Sequence, residues 1–238
     1  MSGHSKWATI KHKKAAIDAK RGKLFTKLIK DISVAARVGG GDPTGNPRLR
    51  LLLEKAKSVN MPGDNTARAI KKGTGDLPGQ QYEPFTYEGY GPEGVALIIE
   101  VLTDNKNRAI SELRHFFSRE HGNLGETGSV NWMFERASVI RINKNGFTED
   151  KLLEELIDYP IKDISSEEET FAISVEPSAC ESVRQALVKL GAGVKEIELE
   201  WEPKNTLPLT SEQEEKVVNF LNKLEELEDV QNVYANLG

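Results

Sequence analysis

The spacing of apolar residues is purely helical over the first third of this chain and mixed thereafter, and the change limits the folds open to it. From Lys20 to Gly73 apolar side chains recur every three to four positions. From Phe85 onwards, runs with apolar residues at every second position alternate with further helical stretches. A period of 3.6 lays an apolar stripe along one helix face, whereas a period of two lays it on one face of a sheet. Neither a helix bundle nor a β-sandwich satisfies both, so the pattern predicts an α+β protein of three domains. At 238 residues the chain has room for them.

The first domain is predicted over 1–75 as a small all-α head. Leu24, Phe25, Leu28, Ile29, Ile32, Ala35 and Ala36 share one helix face, and Lys20, Lys23, Lys27 and Lys30 form a stripe on the opposite one. After a glycine-rich loop from Gly39 to Gly45, Asn46 reads as an N-cap with Pro47 at the first helical position. Leu49, Leu52, Leu53 and Ala56 then line a second helix flanked by Arg48, Arg50, Lys55 and Lys57. A third runs from Pro62, carries Arg68, and ends at Gly73 with Lys71 and Lys72 in its last turn.

A middle α/β domain is predicted over 82–136 together with 207–238. Val95 to Leu102 is a buried strand, and Asp104 caps a helix carrying Ala109, Leu113, Phe116 and Phe117 inward. Val130, Trp132 and Phe134 alternate as a further strand. At the C-terminus, Ser211 and Glu214 read as a capping box for one helix, and Val233, Ala235 and Leu237 as one strand. A lone helix and strand cannot bury themselves, so they are expected back on the sheet of 82–136. The segment between, 137–202, has the order β-α-β-β-α-β of an inserted ferredoxin-like domain, with Ser178 and Glu181 as a capping box for its second helix.

Charge divides along the same boundaries. Residues 1–75 hold 17 basic against 5 acidic side chains, a net of +12, and residues 76–238 hold 15 against 32, a net of −17. A basic head on an acidic body fits one end meeting a polyanion. The candidate phosphate contacts begin in the arm with Lys6, Lys11, His12, Lys13 and Lys14, and continue through Lys20, Arg21, Lys23, Lys27 and Lys30. Arg48, Arg50, Arg68, Lys71 and Lys72 extend the set over the other two helices. Trp7 has two open roles, packing the arm onto the first helix or stacking on an unpaired base. A second contact is the strand-to-helix corner with Asn105, Lys106, Asn107 and Arg108, which a helix cap explains equally well.

Catalytic patterns are incomplete. Gly89 to Gly94 matches G-x-G-x-x-G, but a strand follows it where a dinucleotide site needs a helix. Glu112 and His115 are half of a metal pattern without the other half, and Cys180 has no His near it in sequence. No catalytic residue, cofactor, metal site or small-molecule substrate is therefore expected. No apolar run approaches membrane length, and a single cysteine suits a reducing cytoplasm.

Several motifs together resemble the YebC/PmpR family, whose mitochondrial member is a translational activator of cytochrome c oxidase subunit I. They are Ser2-Gly3-His4-Ser5-Lys6-Trp7, Ile10-Lys11-His12-Lys13-Lys14, Arg21-Gly22-Lys23-Leu24-Phe25 and Asn46-Pro47-Arg48-Leu49-Arg50. Arg68-Ala69-Ile70-Lys71-Lys72-Gly73, Tyr87-Glu88-Gly89-Tyr90-Gly91-Pro92, Thr103 to Arg108 and Gly122-Asn123-Leu124-Gly125 carry it into the middle domain. Ala137-Ser138 departs from it where the family usually has a glycine. The resemblance implies the same three domains and a cytoplasmic, non-enzymatic regulator of gene expression, described both as DNA-binding and as ribosome-associated. Lysine-rich charge and the arm favour ribosomal RNA, with basic ribosomal proteins as further partners. Promoter DNA is the alternative, and an acidic interaction scaffold a third.

Overall fold

The computed structural model describes Trp7 and residues 18–238, the side chains of 18–21 excepted. The architecture is α+β in three parts: a helical head, a middle α/β domain and an inserted ferredoxin-like unit.

Three helices make the head: α1 (Asp18–Gly39), α2 (Pro47–Ser58) and α3 (Gly63–Thr74). Leu28, Ile32 and Ala35 of α1 meet Leu49 and Ala56 of α2, Met61, and Ala69 of α3 in one apolar cluster. Asn46 caps α2 as its sequence position predicts, accepting from the Leu49 amide at 3.0 Å. Its amide nitrogen also donates to the Ala35 and Gly40 carbonyls, both at 2.9 Å, so one side chain joins the end of α1 to the start of α2. Gly73 does not end α3 as expected. It lies inside the helix where a Cβ would collide with the Ser33 carbonyl, and the left-handed Gly75 (φ 88°) terminates it instead.

In the middle domain, β1 (Glu83–Tyr90), β2 (Ala96–Thr103), β3 (Asn123–Leu124) and β8 (Val230–Ala235) form an antiparallel sheet in the order β3-β1-β2-β8. The C-terminal strand pairs β2 with Leu97 opposite Ala235 and Ile99 opposite Val233. Two helices, α4 (Lys106–Arg119) and α7 (Ser211–Glu225), pack on one face. Leu97, Ile99 and Val101 there meet Leu113, Phe116, Phe117, Phe220 and Leu221. On the other face Ala96 and Ile98 meet Val130 and Phe134, the seam with the second sheet. Both faces of β2 are covered, which is why its sequence is a continuous apolar run.

The inserted unit comprises β4 (Phe134–Asn143), α5 (Glu149–Glu155), β5 (Ile161–Ser166), β6 (Thr170–Val175), α6 (Cys180–Lys189) and β7 (Val194–Pro203). Its sheet order, β5-β6-β4-β7, is the ferredoxin-like one. Ile140, Ile142, Phe171 and Ile173 share a core with Leu152 of α5, Leu156 just after it, and Val183 and Leu187 of α6. Alternation sends Arg141 and the β7 acids Glu196, Glu198, Glu200 and Glu202 to the helix-free face.

Local corrections concern helix and strand starts. Residues 131–133 form a 3₁₀ turn, so Val130, Trp132 and Phe134 are not one strand, and Trp132 stands 67% exposed. Asn105, not Asp104, caps α4, because Asp104 is drawn into an ion pair with Arg108 at 2.8 Å. The capping box of α7 is Thr210 with Gln213, one residue before the expected pair. No side chain caps α6, since a 3₁₀ turn at Pro177–Ala179 leads into it and Glu181 binds Arg184.

Candidate nucleic-acid interface

Lys23, Lys27 and Lys30, the described part of the predicted phosphate stripe of α1, face the protein's own body. Lys23 Nζ donates to the Glu226 carbonyl at 3.2 Å, and Lys27 Nζ to the carbonyls of Glu225 (3.2 Å) and Gln231 (3.3 Å). Lys30, only 3% exposed, reaches the Glu228 carbonyl at 3.1 Å and the Asp229 carboxylate at 2.7 Å. The acceptors are the last turn of α7, the turn into β8 and the second residue of that strand. A helix C-terminus leaves carbonyls without intrahelical donors and carries partial negative charge, so ammonium groups spaced along α1 satisfy it. Lys23, Lys27 and Lys30 are thus not an open phosphate-binding face in this arrangement.

Asp229 is the centre of this contact. Besides Lys30 it accepts from Thr103 Oγ1 and Arg108 Nη2, both at 2.8 Å. Burial pushes its carboxyl up, but hydrogen bonds from Lys30, Arg108 and Thr103 outweigh that and hold it below the ordinary range. The same network engages the second candidate contact. Asn105 is occupied as the α4 cap, Arg108 by Asp104 and Asp229, and the Lys106 ammonium lies 4.9 Å from the centre of the Phe85 ring. Asn107 is exposed. The helix-cap reading of this corner holds, and two of its four side chains are committed internally.

Trp7 is not a base-stacking platform here. It is 2% exposed, its Nε1 donates to the Val233 carbonyl at 3.1 Å, and it belongs to the core built from β2, α4, α7 and β8. Lys6, Lys11, His12, Lys13 and Lys14 lie outside the described residues, as do the side chains of Lys20 and Arg21. The candidates left on the exposed surface are Arg48 and Arg50 at the start of α2, and Arg68, Lys71 and Lys72 on α3, with Lys57 beside them.

A second head-to-body contact uses the acidic face of the inserted unit. Lys55 of α2 bridges Glu196 (2.6 Å) and Glu198 (2.7 Å). Asp31 of α1 is at this junction, and burial raises its pKa from 3.8 to about 6 against the pull of Arg48 and Lys55, with Glu198 adding to the rise. An aspartate with a raised folded-state pKa is a liability fully present above that pKa and absent below the unfolded one. Asp31→Asn is therefore expected to stabilise the protein near pH 8 by up to about 3 kcal/mol. The gain should fade between pH 6 and about pH 4, and thermal unfolding of both chains across that range checks it. A gain independent of pH would rule out this cause.

Glu88 is a further residue that sequence reasoning missed. Its buried carboxylate accepts from the backbone amides of Gly128, Val130 and Asn131, each at 2.8 Å, and so organises the loop after β3. Burial pushes this carboxyl up, yet the three amides outweigh it and leave it below its ordinary range. Nothing in an acidic background distinguishes Glu88 or Asp229 from solvated acids before their partners are placed. Among the described residues, no group of three or more His, Cys, Asp or Glu is placed to hold a metal ion, and no helix is long and apolar enough to cross a membrane.

The chain is 52% identical to a probable transcriptional regulatory protein of Desulfosudis oleivorans, over 99% of this chain and 96% of that protein. It is also 52% identical to one of Thermoanaerobacter pseudethanolicus, over 100% of this chain and 97% of that protein. The crystal structure of the conserved hypothetical protein Aq1575 from Aquifex aeolicus superposes with a TM-score of 0.87 at 47% identity, covering 98% of this chain and 97% of that one. Residues 5–76 match the model of the TACO1/YebC protein N-terminal domain, and residues 82–237 that of the TACO1/YebC second and third domain. By these matches, which leave little of the sequence outside them, the chain belongs to the TACO1/YebC family.

Proposed function

We propose that this protein is a non-enzymatic regulator of gene expression that engages nucleic acid through its head, and that ribosomal RNA is its principal target. The observation that carries the reading is the exposed group Arg48, Arg50, Arg68, Lys71 and Lys72 on a head of net charge +12, beside a body of net charge −17. Such a body is repelled along a continuous duplex but can lie against basic ribosomal proteins. The exposed cations are spread over α2 and α3 and do not present a single base-reading helix, which suits irregular RNA backbone. A promoter-binding reading is supported by the relatives called probable transcriptional regulatory proteins and by three arginines among those five residues, since arginine reads guanine bidentately. We propose further that 137–202 is an independently folding insert within 82–136 plus 207–238.

The test is binding of the five-fold glutamine variant at Arg48, Arg50, Arg68, Lys71 and Lys72. If each residue meets one RNA phosphate, the log–log salt slope flattens by about 3–4 units. Ribosome co-sedimentation of the wild type should be lost with it. An unchanged slope would remove these residues from the interface. Protection of one promoter sequence without ribosome association would favour the transcriptional reading.

A further inference from the structure

The lysine stripe and the turn it touches fit each other as a polycation fits a phosphate backbone. Lys23, Lys27 and Lys30 are spaced one helical turn apart, and each finds oxygen at 2.7–3.2 Å on the end of α7 or the turn after it, with Lys27 also reaching Gln231 of β8 at 3.3 Å. That turn is Glu225-Glu226-Leu227-Glu228-Asp229. Its carboxylates and unsatisfied helix carbonyls place negative charge where a nucleic acid would place phosphate.

The contact is also built to come apart. The apolar cluster of α1–α3 contains only residues of 1–75, the links from α1 and α2 to the body named above are polar, and Trp7, ahead of α1, is an apolar tie to the body. Of the four body acids that receive head lysines among the described residues, Asp229, Glu196 and Glu198 have a second cation of their own, and Glu226 is exposed to solvent. Asp229 keeps Arg108 at 2.8 Å and Thr103 at 2.8 Å if Lys30 leaves. Glu198 keeps Arg141 at 3.6 Å if Lys55 leaves. Undocking therefore strands no buried carboxylate, the outcome that makes breaking most buried ion pairs so costly. The departing lysines pass from carbonyl oxygens to water or to phosphate.

We propose that the α7–β8 turn is an internal competitor for the lysine stripe of α1, so that Lys23, Lys27 and Lys30 contact nucleic acid only when the head has left the body. The proposal rests on the nucleic-acid reading above and adds a closed state, with the exposed cations of α2 and α3 available, and an open state with the stripe as well. Nucleic acid and body then compete for the same ammonium groups, and the equilibrium shifts by their difference in affinity.

The experiment uses the full chain carrying Lys23→Cys, Glu226→Cys and Cys180→Ser, since the Lys23 and Glu226 side chains already lie 3.9 Å apart. Binding to a short single-stranded RNA is measured with the new pair bridged by a short bismaleimide, and again with the same cysteines singly capped. The capped protein should bind more tightly and with a steeper salt slope, by about 1.4 units for the two phosphate contacts of Lys27 and Lys30. Asp229→Asn, which removes the charge partner of Lys30 while leaving every head residue in place, should move the otherwise wild-type chain toward the steeper slope. Equal slopes for bridged and capped protein would overturn the proposal while leaving the nucleic-acid reading intact. Absence of RNA and duplex-DNA binding in the capped and wild-type chains would overturn both.

Discussion

Arg141→Met is expected to cost about 3–5 kcal/mol of stability near neutral pH, and to cost less as the solution is acidified. Arg141 is 3% exposed on the helix-free face of the inserted sheet. Its guanidinium lies 2.8 Å from Glu200, 3.2 Å from Glu167, 3.6 Å from Glu198 and 4.0 Å from Glu196. Alternation along β7 places three of these acids on one face, and Lys55 is a second cation close to two of them. Glu196 already titrates above the ordinary carboxylate range, through burial and the neighbouring Glu198, even with Lys55 and Arg141 opposing the rise.

With methionine at 141 the carboxylates lose their main counter-charge, and their folded-state pKa values rise above the unfolded ones. The folded chain then binds more protons than the unfolded chain, so stability returns as pH falls through those values. Urea unfolding of both chains near pH 7 and near pH 5 measures the effect. A loss that grows on acidification, or one no larger than for an exposed arginine, would show that Arg141 does not neutralise the cluster.

Trp7→Ala should be of similar size, about 3–5 kcal/mol, because it empties a buried aromatic site. The residue packs with Val233 of the last strand across a sequence separation of 226, so it ties the start of the chain to the end. Trp7→Phe keeps most of the volume but leaves the Val233 carbonyl without its indole donor, and should cost about 1 kcal/mol. Denaturant unfolding ranks the three chains. If Trp7→Ala leaves stability unchanged while weakening RNA binding, the residue stacks on bases and this core assignment is wrong.

Periodicity alone located the head helices, because a helix stripe or an alternating strand is a local property of ten or so residues. The β-α-β-β-α-β order of 137–202 was legible for the same reason, as was the Asn46 cap, whose donor, the Leu49 amide, lies three residues away. Starts and stops were less so. Asp104 and Asn105 are both good caps, and the choice fell to Asn105 only because Arg108 and Asp229 engage the neighbouring charges. Gly73 looks like a helix end in sequence but is an interior glycine, since the close approach to the Ser33 carbonyl exists only once α1 and α3 have packed.

The sequence by itself determined that Lys23, Lys27 and Lys30 share a helix face, that the first third is basic and that the remainder is acidic. Only the tertiary structure decided what that face meets. Asp229 is 199 residues from Lys30, and the other acceptors are backbone carbonyls that every residue possesses. A carbonyl acquires its role from being at the end of α7, not from its side chain. Spacing along a helix therefore specifies which charges act together, while whether they face solvent or the protein's own turn depends on packing between segments remote in sequence.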